Sequence, residues 1–340
     1  MKSKKEQVTF WLSVAITLSF VGWALLKYDF GAVYKALKGA NYLWIIPAAI
    51  IDVLLIYIRA VRWHYFLEPI KRVSHYNAFM ATGIGFLANM VIPARIGEFV
   101  RAWLLGKKES ISKSASMGTV VIERAIDGLS VVIVILIVFF FVDVPEDKRV
   151  YWNTLKTAGY TVCYFYAIVF AALFLFHRRV RWVEWIMNAM LGVLPEGLEH
   201  KARDILESFR SGFDVLESGH HIIAIAIWSV IFWIIAGGVN IAFFYAFDLE
   251  NLPFIATYLI LMAQVIGVMI PSPGFVGPYH AATMAGLAFY GVDEEMGLSV
   301  AIVMHATMFL TNIAPGIVFL WLEKMSFAEL KHSAEDEAQA

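Results

Sequence analysis

Arg95, Glu98 and Arg101 recur at intervals of three, so on a helix they form one stripe of two guanidinium groups around a carboxylate. A guanidinium stays charged in any protein environment and presents a planar fork that matches two phosphate oxygens. Arg95 and Arg101 are therefore candidates for gripping an anionic head group, and Glu98 is placed to hold one of them when such a site is empty. Further on, Glu123 and Asp127 stand four apart with Arg124 beside them. Two carboxylates opposite a pair of arginines can lock one conformation through ion pairs that a ligand competes for. They can equally form a fixed network that stabilises a helix bundle. The arginine stripe likewise has a plainer reading, an anchor facing water at a membrane surface.

These charges lie in a chain of 340 residues that is 60% hydrophobic and only 16% charged, with 11 Trp. With a mean hydropathy of +0.69, that composition specifies a polytopic membrane protein. The single cysteine, Cys163, excludes an intramolecular disulfide and a Cys-cluster metal site. Continuous apolar runs cover Phe10 to Leu26, Tyr42 to Trp63, Met117 to Val142, Thr157 to Phe176, His221 to Phe247 and Met296 to Leu322, which makes about six crossings. The first run follows Lys2, Lys4 and Lys5 as a signal peptide would, but its apolar core is too long and no small-residue cleavage site follows, so it reads as a retained span.

Two further apolar runs break at Ile-Pro. One reads Met90-Val91-Ile92-Pro93-Ala94-Arg95-Ile96-Gly97-Glu98, the other Val268-Met269-Ile270-Pro271-Ser272-Pro273-Gly274-Phe275-Val276-Gly277. Backbone freed from helix inside a bilayer is tolerated only where protein or a wet cavity satisfies its polar groups, so broken segments at matching positions of two halves point to a transport site. Pro93 and Gly97, and Pro271, Pro273, Gly274 and Gly277, let the backbone break and approach a ligand closely. The spacing matches: Tyr42 to Pro93 is 51 residues and His221 to Pro271 is 50, and the next apolar run starts 24 residues after Pro93 and 25 after Pro271. Each half reads span, hairpin, span.

Lys and Arg set the orientation. With both termini cytoplasmic, Arg59, Arg62, Lys71, Arg72, Arg101, Lys107, Lys108 and Lys113 fall inside and the acidic connectors outside, provided each hairpin enters and leaves on one side. A straight span through Arg95, Glu98 and Arg101 would cost roughly 3 kcal/mol per charge near the bilayer centre. The expected fold is all-α: about six transmembrane helices plus two oppositely oriented re-entrant hairpins in an inverted repeat. It forms one integral-membrane domain over 1–323, with a first half at about 42–142, an amphipathic cytoplasmic connector at 177–219, a second half at about 221–322 and a cytoplasmic tail at 324–340. The expected location is the cytoplasmic (inner) membrane.

Several polar residues fall inside spans. Asp52 is mid-span, so it is expected to face the bundle and meet an arginine or carry a proton. His280 and His305, with Asn240, Gln264 and Asn312, add polar points to the second half, either as proton-coupling or phosphate-contacting groups or as interhelical hydrogen bonds. In the connector, Trp182, Trp185, Ile186 and Met190 share a face, as do Ile205, Phe209, Phe213 and Leu216, which suggests helices lying on the membrane surface.

The pattern Asn89-x-x-x-Pro93-x-Arg95-x-Gly97-Glu98-x-x-Arg101, followed by Glu123-Arg124-x-x-Asp127 and later by Pro271-Ser272-Pro273-Gly274-x-x-Gly277, resembles the lysylphosphatidylglycerol synthase transmembrane-region family, the flippase-like domain. The resemblance covers about Val8 to Glu323. It implies movement between leaflets of a lipid with a modified head group or of a polyprenyl-linked sugar, and a partner that is a membrane lipid with an anionic head group or a polyprenyl phosphate. Relatives fused to aminoacyl- or glycosyl-transferase domains imply a separate transferase as a second partner. This length has room for neither domain, so synthase activity is not expected. Phe275 and His280 stand where the family commonly has Gly and Glu, so no role of that Glu carries over. With no activated nucleophile, metal-ligand cluster or nucleotide-binding glycine loop, neither an enzyme nor a cofactor is expected. Nucleic-acid binding finds no support. The competing readings are a membrane-embedded lipid transferase or hydrolase that uses His280 or Glu123 as acid or base, and an accessory subunit of a separate lipid-modifying enzyme.

Overall fold

The computed structural model describes residues 4–91, 96–144, 146–193, 196–270 and 272–326. Its helices are α1 (Lys4–Lys27), α2 (Phe30–Gly39), α3 (Ile45–Leu67), α4 (His75–Val91), α5 (Gly97–Glu109), α6 (Lys113–Phe141), α7 (Arg149–His177), α8 (Arg181–Leu191), α9 (Glu196–Ser211), α10 (Gly219–Ala246), α11 (Phe254–Met269), α12 (Pro278–Phe289) and α13 (Glu294–Leu322). Among the described residues there is no strand. Pro93, Arg95 and Pro271 lie outside the described residues, as does the tail from residue 327 onward.

Five stretches are long and apolar enough to cross a membrane: Tyr42–Leu67, Lys113–Phe141, Trp152–His177, Gly219–Ala246 and Glu294–Leu322. They coincide with five of the six expected runs. The N-terminal run, Phe10 to Leu26, lies within the single helix α1; the chain then bends by 95° between α1 and α2, and the bent pair taken together counts as a sixth candidate span. Asp29 explains the bend: its carboxylate accepts from the Gly31 N–H at 2.7 Å, capping a new helix instead of continuing the old one.

The two broken segments fold as closed helix pairs. A methyl group on Gly97 of α5 would lie 2.0 Å from the Gly85 carbonyl oxygen of α4, so only glycine permits that approach. In the second pair, Gly267 of α11 meets Pro278 and Ala282 of α12 while Gly286 meets Ile260, so the partners run antiparallel.

The contact scheme maps onto itself when the halves are exchanged. α3 packs on α4 as α10 does on α11, and α5 on α6 as α12 on α13. Across the halves α4 packs on α13 as α11 does on α6, α3 on α13 as α10 on α6, and α3 packs directly on α10. The α4–α13 crossing is tight because both helices are small there: a methyl group on Gly316 would sit 2.4 Å from Leu87 Cβ and 2.7 Å from the Gly83 carbonyl oxygen. The contact of α3 with α6 has no counterpart of similar extent, and it is here that charged side chains are buried.

One apolar core, around Trp63, Phe66, Met80, Ile84 and Leu105, unites α3 to α6. Another joins Ala48 and Met90 to Phe243, Ile260, Phe275, Tyr279 and Met304, so the last turn of α4 meets the second break. The connector 177–219 carries α8 and α9, and α9 lies along the start of α6.

Candidate functional site

Six charged side chains from three helices converge where α3 ends and α6 begins. Arg62 Nη2 donates to Asp127 Oδ1 at 2.5 Å and to Glu123 Oε1 at 3.1 Å, and Arg59 Nη1 to Asp127 Oδ2 at 2.9 Å. Arg101, reaching over from α5, donates to Glu123 Oε2. Arg124 bridges both carboxylates, at 3.0 Å to Glu123 and 3.2 Å to Asp127. Arg62 and Glu123 have no exposed side-chain surface, whereas Arg124 is 37% exposed and forms the open edge.

Aromatic faces hold the arginines in place. Arg101 lies 4.6 Å from the centroid of Trp63, and Arg59 lies 4.2 Å from that of Phe232 on α10. Trp63 is fixed in turn by donating to Thr119 Oγ1 at 2.9 Å, and Arg62 Nη1 reaches Ser229 of α10 at 3.2 Å. Two anions cannot neutralise four cations, and even with Glu98 counted the cluster keeps an excess of positive charge. The Nε–H groups of Arg62, Arg101 and Arg124 are buried without a hydrogen-bond partner among the described residues. Buried donors are normally paired, so this is a place suited to additional anionic oxygens.

The geometry assigns the motif residues different tasks. Glu98 accepts from Asn89 Nδ2 at 3.0 Å, and the same amide accepts from the Gly97 N–H through Oδ1 at 2.8 Å. Asn89 thus clasps the hairpin across its break and caps α5, while Gly97 serves the close approach to α4. Arg101 and Glu123 meet directly; Arg124 and Asp127 complete the same cluster.

The second break has different chemistry. Pro273 starts a short 3-10 turn, and Gly274, Phe275 and Gly277 have φ of 55°, 63° and 97°. Gly277 and Gly274 accept such angles without strain, and the Gly277 N–H lies 3.4 Å from His280 Nδ1 at the start of α12. His305 Nε2 donates to the Gly274 carbonyl at 2.6 Å, and its ring centroid is 4.6 Å from that of His280. From α1, Thr17 donates to the Val276 carbonyl at 3.3 Å and Phe20 lies against Gly277 and His280. These histidines shape and brace the loop.

Asp52 faces α13 and accepts from Thr311 Oγ1 at 3.3 Å, with no arginine at ion-pair distance among the described residues. The expected arginine partner is engaged elsewhere: Arg59, two turns along the same helix, is drawn to Asp127. Asn240 and Gln264 bond across helices to Thr257 and Thr283, as helix-packing groups do, whereas Asn312 donates to the Met308 carbonyl of its own helix.

Arg59 and Arg62, counted in the sequence only as flanking charge, belong to the cluster. A signal for them exists: Asp52, Arg59 and Arg62 fall on one side of an otherwise apolar helix, the side a bundle must cover. Asn89 opens the motif, but its clasp on Gly97 and Glu98 does not show in the spacing; Ser229 and Phe232 carry no signal, because their roles depend on which helices touch. Among the described residues no group of three or more His, Cys, Asp or Glu is placed to hold a metal ion.

The sequence profile of the lysylphosphatidylglycerol synthase TM region matches residues 10–316, spanning both broken hairpins and the charge cluster. The chain belongs to that family. A UPF0104 membrane protein of Methanothermobacter thermautotrophicus is 22% identical over 298 residues, 84% of this chain and 87% of the relative. Another UPF0104 membrane protein, from Methanocaldococcus jannaschii, is 28% identical over 130 residues, 37% of this chain and 38% of the relative. No solved structure matches. With its apolar helices, the chain is a multi-pass membrane protein, and the family name ties it to lipid.

Proposed function

We propose that this protein is a lipid translocase that carries a phosphate-bearing head group between leaflets while the acyl or prenyl tails stay in the hydrocarbon. The observation that carries this reading is the buried cluster of Arg59, Arg62, Arg101 and Arg124 around Glu123 and Asp127, cationic in excess and set at the foot of a broken hairpin. A head-group phosphate competes with Glu123 and Asp127 for the arginines, so binding loosens the ties among α3, α5 and α6. One half then rocks against the other about the α3–α10 contact. In this scheme both termini are cytoplasmic, the hairpins enter the membrane from opposite faces, and no covalent step occurs. The excess positive charge favours this over acid–base catalysis by Glu123, whose carboxylate is fully engaged by arginines.

The test is reconstitution into vesicles holding fluorescently labelled phosphatidylglycerol, with dithionite bleaching the outer leaflet. Wild-type protein is expected to make the inner-leaflet label accessible, and Arg101→Gln, verified as folded by gel filtration, to slow that loss about tenfold or more, the factor that follows from losing one charge-assisted hydrogen bond. Equal rates for wild type and Arg101→Gln would remove Arg101 from the mechanism. Wild-type vesicles indistinguishable from protein-free ones with every phosphate-bearing lipid tried would sink the translocase reading.

A further inference from the structure

Outside the spanning helices, α8 carries an apolar face that no other part of the described chain covers. Trp182, Trp185, Ile186 and Met190 are 55%, 71%, 41% and 69% exposed, and Val193 just beyond the helix is more exposed still. At 100° per residue these positions fall in one arc, with Ala189 as its only other member. The opposite arc, Val183, Glu184, Met187 and Leu191, turns inward, and polar Arg181 and Asn188 mark the border. An arc with two tryptophans and no charge is a surface meant to be covered.

The chain's own geometry says by what. α8 starts four residues after α7 ends at His177, so its first residue lies within about 14 Å of the end of a membrane span. α7 itself is peripheral: 11% of its most apolar stretch is buried, and Tyr164, Phe165, Ile168 and Phe174 face outward. The apolar face of α8 therefore continues a lipid-facing surface at the depth of the head groups. The junction supplies the matching charge, with Arg178 and Arg181 exposed and Arg181 unpaired among the described residues. Tryptophan with arginine at a span end is the combination that suits the boundary between acyl chains and phosphates.

We propose that α8 is a membrane-docking helix that lies in the head-group layer of the leaflet where α7 ends, with Trp182, Trp185, Ile186 and Met190 among the acyl chains and Arg178 and Arg181 on anionic lipid phosphate. Arg210 ties this anchor to the rest of the molecule: it donates to Glu184 of α8 at 2.7 Å and to Glu207 of α9 at 2.9 Å, beneath the Phe176 ring of α7. α9 in turn is seated on α6 so closely that a methyl group on Gly118 would lie 2.1 Å from the Phe209 carbonyl oxygen. Gly118 is five residues before Glu123, so the docked leaflet is linked through α8 and α9 to the helix that carries both carboxylates of the charge cluster. The docking does not depend on lipid translocation.

The experiment places a bimane label at Trp185→Cys, and separately at Met190→Cys, in full-length Cys163→Ser protein reconstituted into vesicles, with Asp204→Cys on the exposed side of α9 as reference. Quenching is compared between a nitroxide-bearing phospholipid in the bilayer and iodide in the water. Labels at 185 and 190 are expected to be quenched several-fold more by the lipid than by iodide, with the order reversed at 204. The lipid quenching should grow when anionic phospholipid is added to neutral vesicles and lose that growth in Arg178→Gln/Arg181→Gln. Preferential iodide quenching at 185 and 190 would overturn the proposal. So would protection from both quenchers together with cross-linking of the 185 thiols, which would mean that a second copy covers the face. If the lipid quenching ignores anionic lipid, the arginine part is wrong.

Discussion

The two broken hairpins share an architecture and differ in chemistry. At the first, α5 delivers Arg101 into a knot of four arginines and two carboxylates between α3 and α6. At the second, two histidines brace a loop of positive-φ residues: His305 donates to the Gly274 carbonyl, His280 sits at the start of α12, and α1 covers the turn through Thr17 and Phe20. Exchange of the halves preserves nearly every helix contact, yet the charge follows only one of them. The repeat thus supplies the break in the backbone, and a separate choice of side chains decides which break handles charge. α3 joins the two regions, with Asp52 and Arg59 about 10 Å apart along its axis at seven residues of helix rise.

If that contrast is real, removing the central anion of the first region must hurt far more than altering the second. Glu123→Ala leaves Arg62 and Arg101 buried without their shared partner, and an uncompensated buried charge costs about 3–5 kcal/mol. His280→Asn removes one long hydrogen bond from the Gly277 N–H and costs about 1 kcal/mol. Thermal unfolding in mild detergent should rank them in that order. Similar losses for the two variants would mean that the charge cluster is wet and weakly coupled, and the contrast would fail. A double variant, Glu123→Ala with Arg101→Ala, is expected to recover part of the loss, because the pair is removed together.

A smaller effect tests what the hairpins have in common. Gly97→Ala would press a methyl group to 2.0 Å from the Gly85 carbonyl oxygen, and Gly267→Ala to 2.7 Å from the Pro278 carbonyl oxygen. Both clashes are with backbone, which cannot rotate away, so each should cost about 1–3 kcal/mol, Gly97→Ala the more. Comparable melting shifts would support one shared mode of hairpin closure. A neutral Gly267→Ala would make the second pair looser than the first, and the likeness of the halves would then be one of spacing alone.

How far the sequence speaks can be judged from these same residues. Long apolar runs are legible because a bilayer demands them, and the expected runs became helices where hydropathy put them. The bend at Asp29 was not, since a capping aspartate reads the same whether its helix starts a span or ends one. Arg101, Glu123, Arg124 and Asp127 were legible as a set from type and spacing, and they do converge. Arg59 and Arg62 share one side of an apolar helix with Asp52, which marks that side for burial, but only the packing of α3 on α6 names Glu123 and Asp127 as their partners. The pairing of Asn89 with Glu98 and Gly97 depends on two helices folding back across the first break, which spacing alone does not specify.

The smallest predicted effect lies where the two halves are tied at the surface. Glu323, just past the end of α13 in the second half, is held by Lys108 of α5 and accepts from the Tyr76 hydroxyl of α4 at 3.1 Å. The Lys108 ammonium holds the Glu323 carboxyl below its ordinary value of 4.5, with the Tyr76 hydroxyl acting in the same direction. A carboxyl whose pKa is lower folded than unfolded stabilises the fold fully above its unfolded value, and loses that contribution as pH falls through the folded one. The pair is open to water, so Lys108→Ala should cost at most about 0.5 kcal/mol at neutral pH and less in high salt. Wild type and variant should then converge as pH falls through the lowered folded value, where the carboxyl is protonated and there is no ion pair left to lose. A gap that persists at acid pH would locate the effect in the packing of the lysine stem and not in its charge. A gap as large as that of Glu123→Ala would mean that the surface tie, and not the buried cluster, holds the halves together.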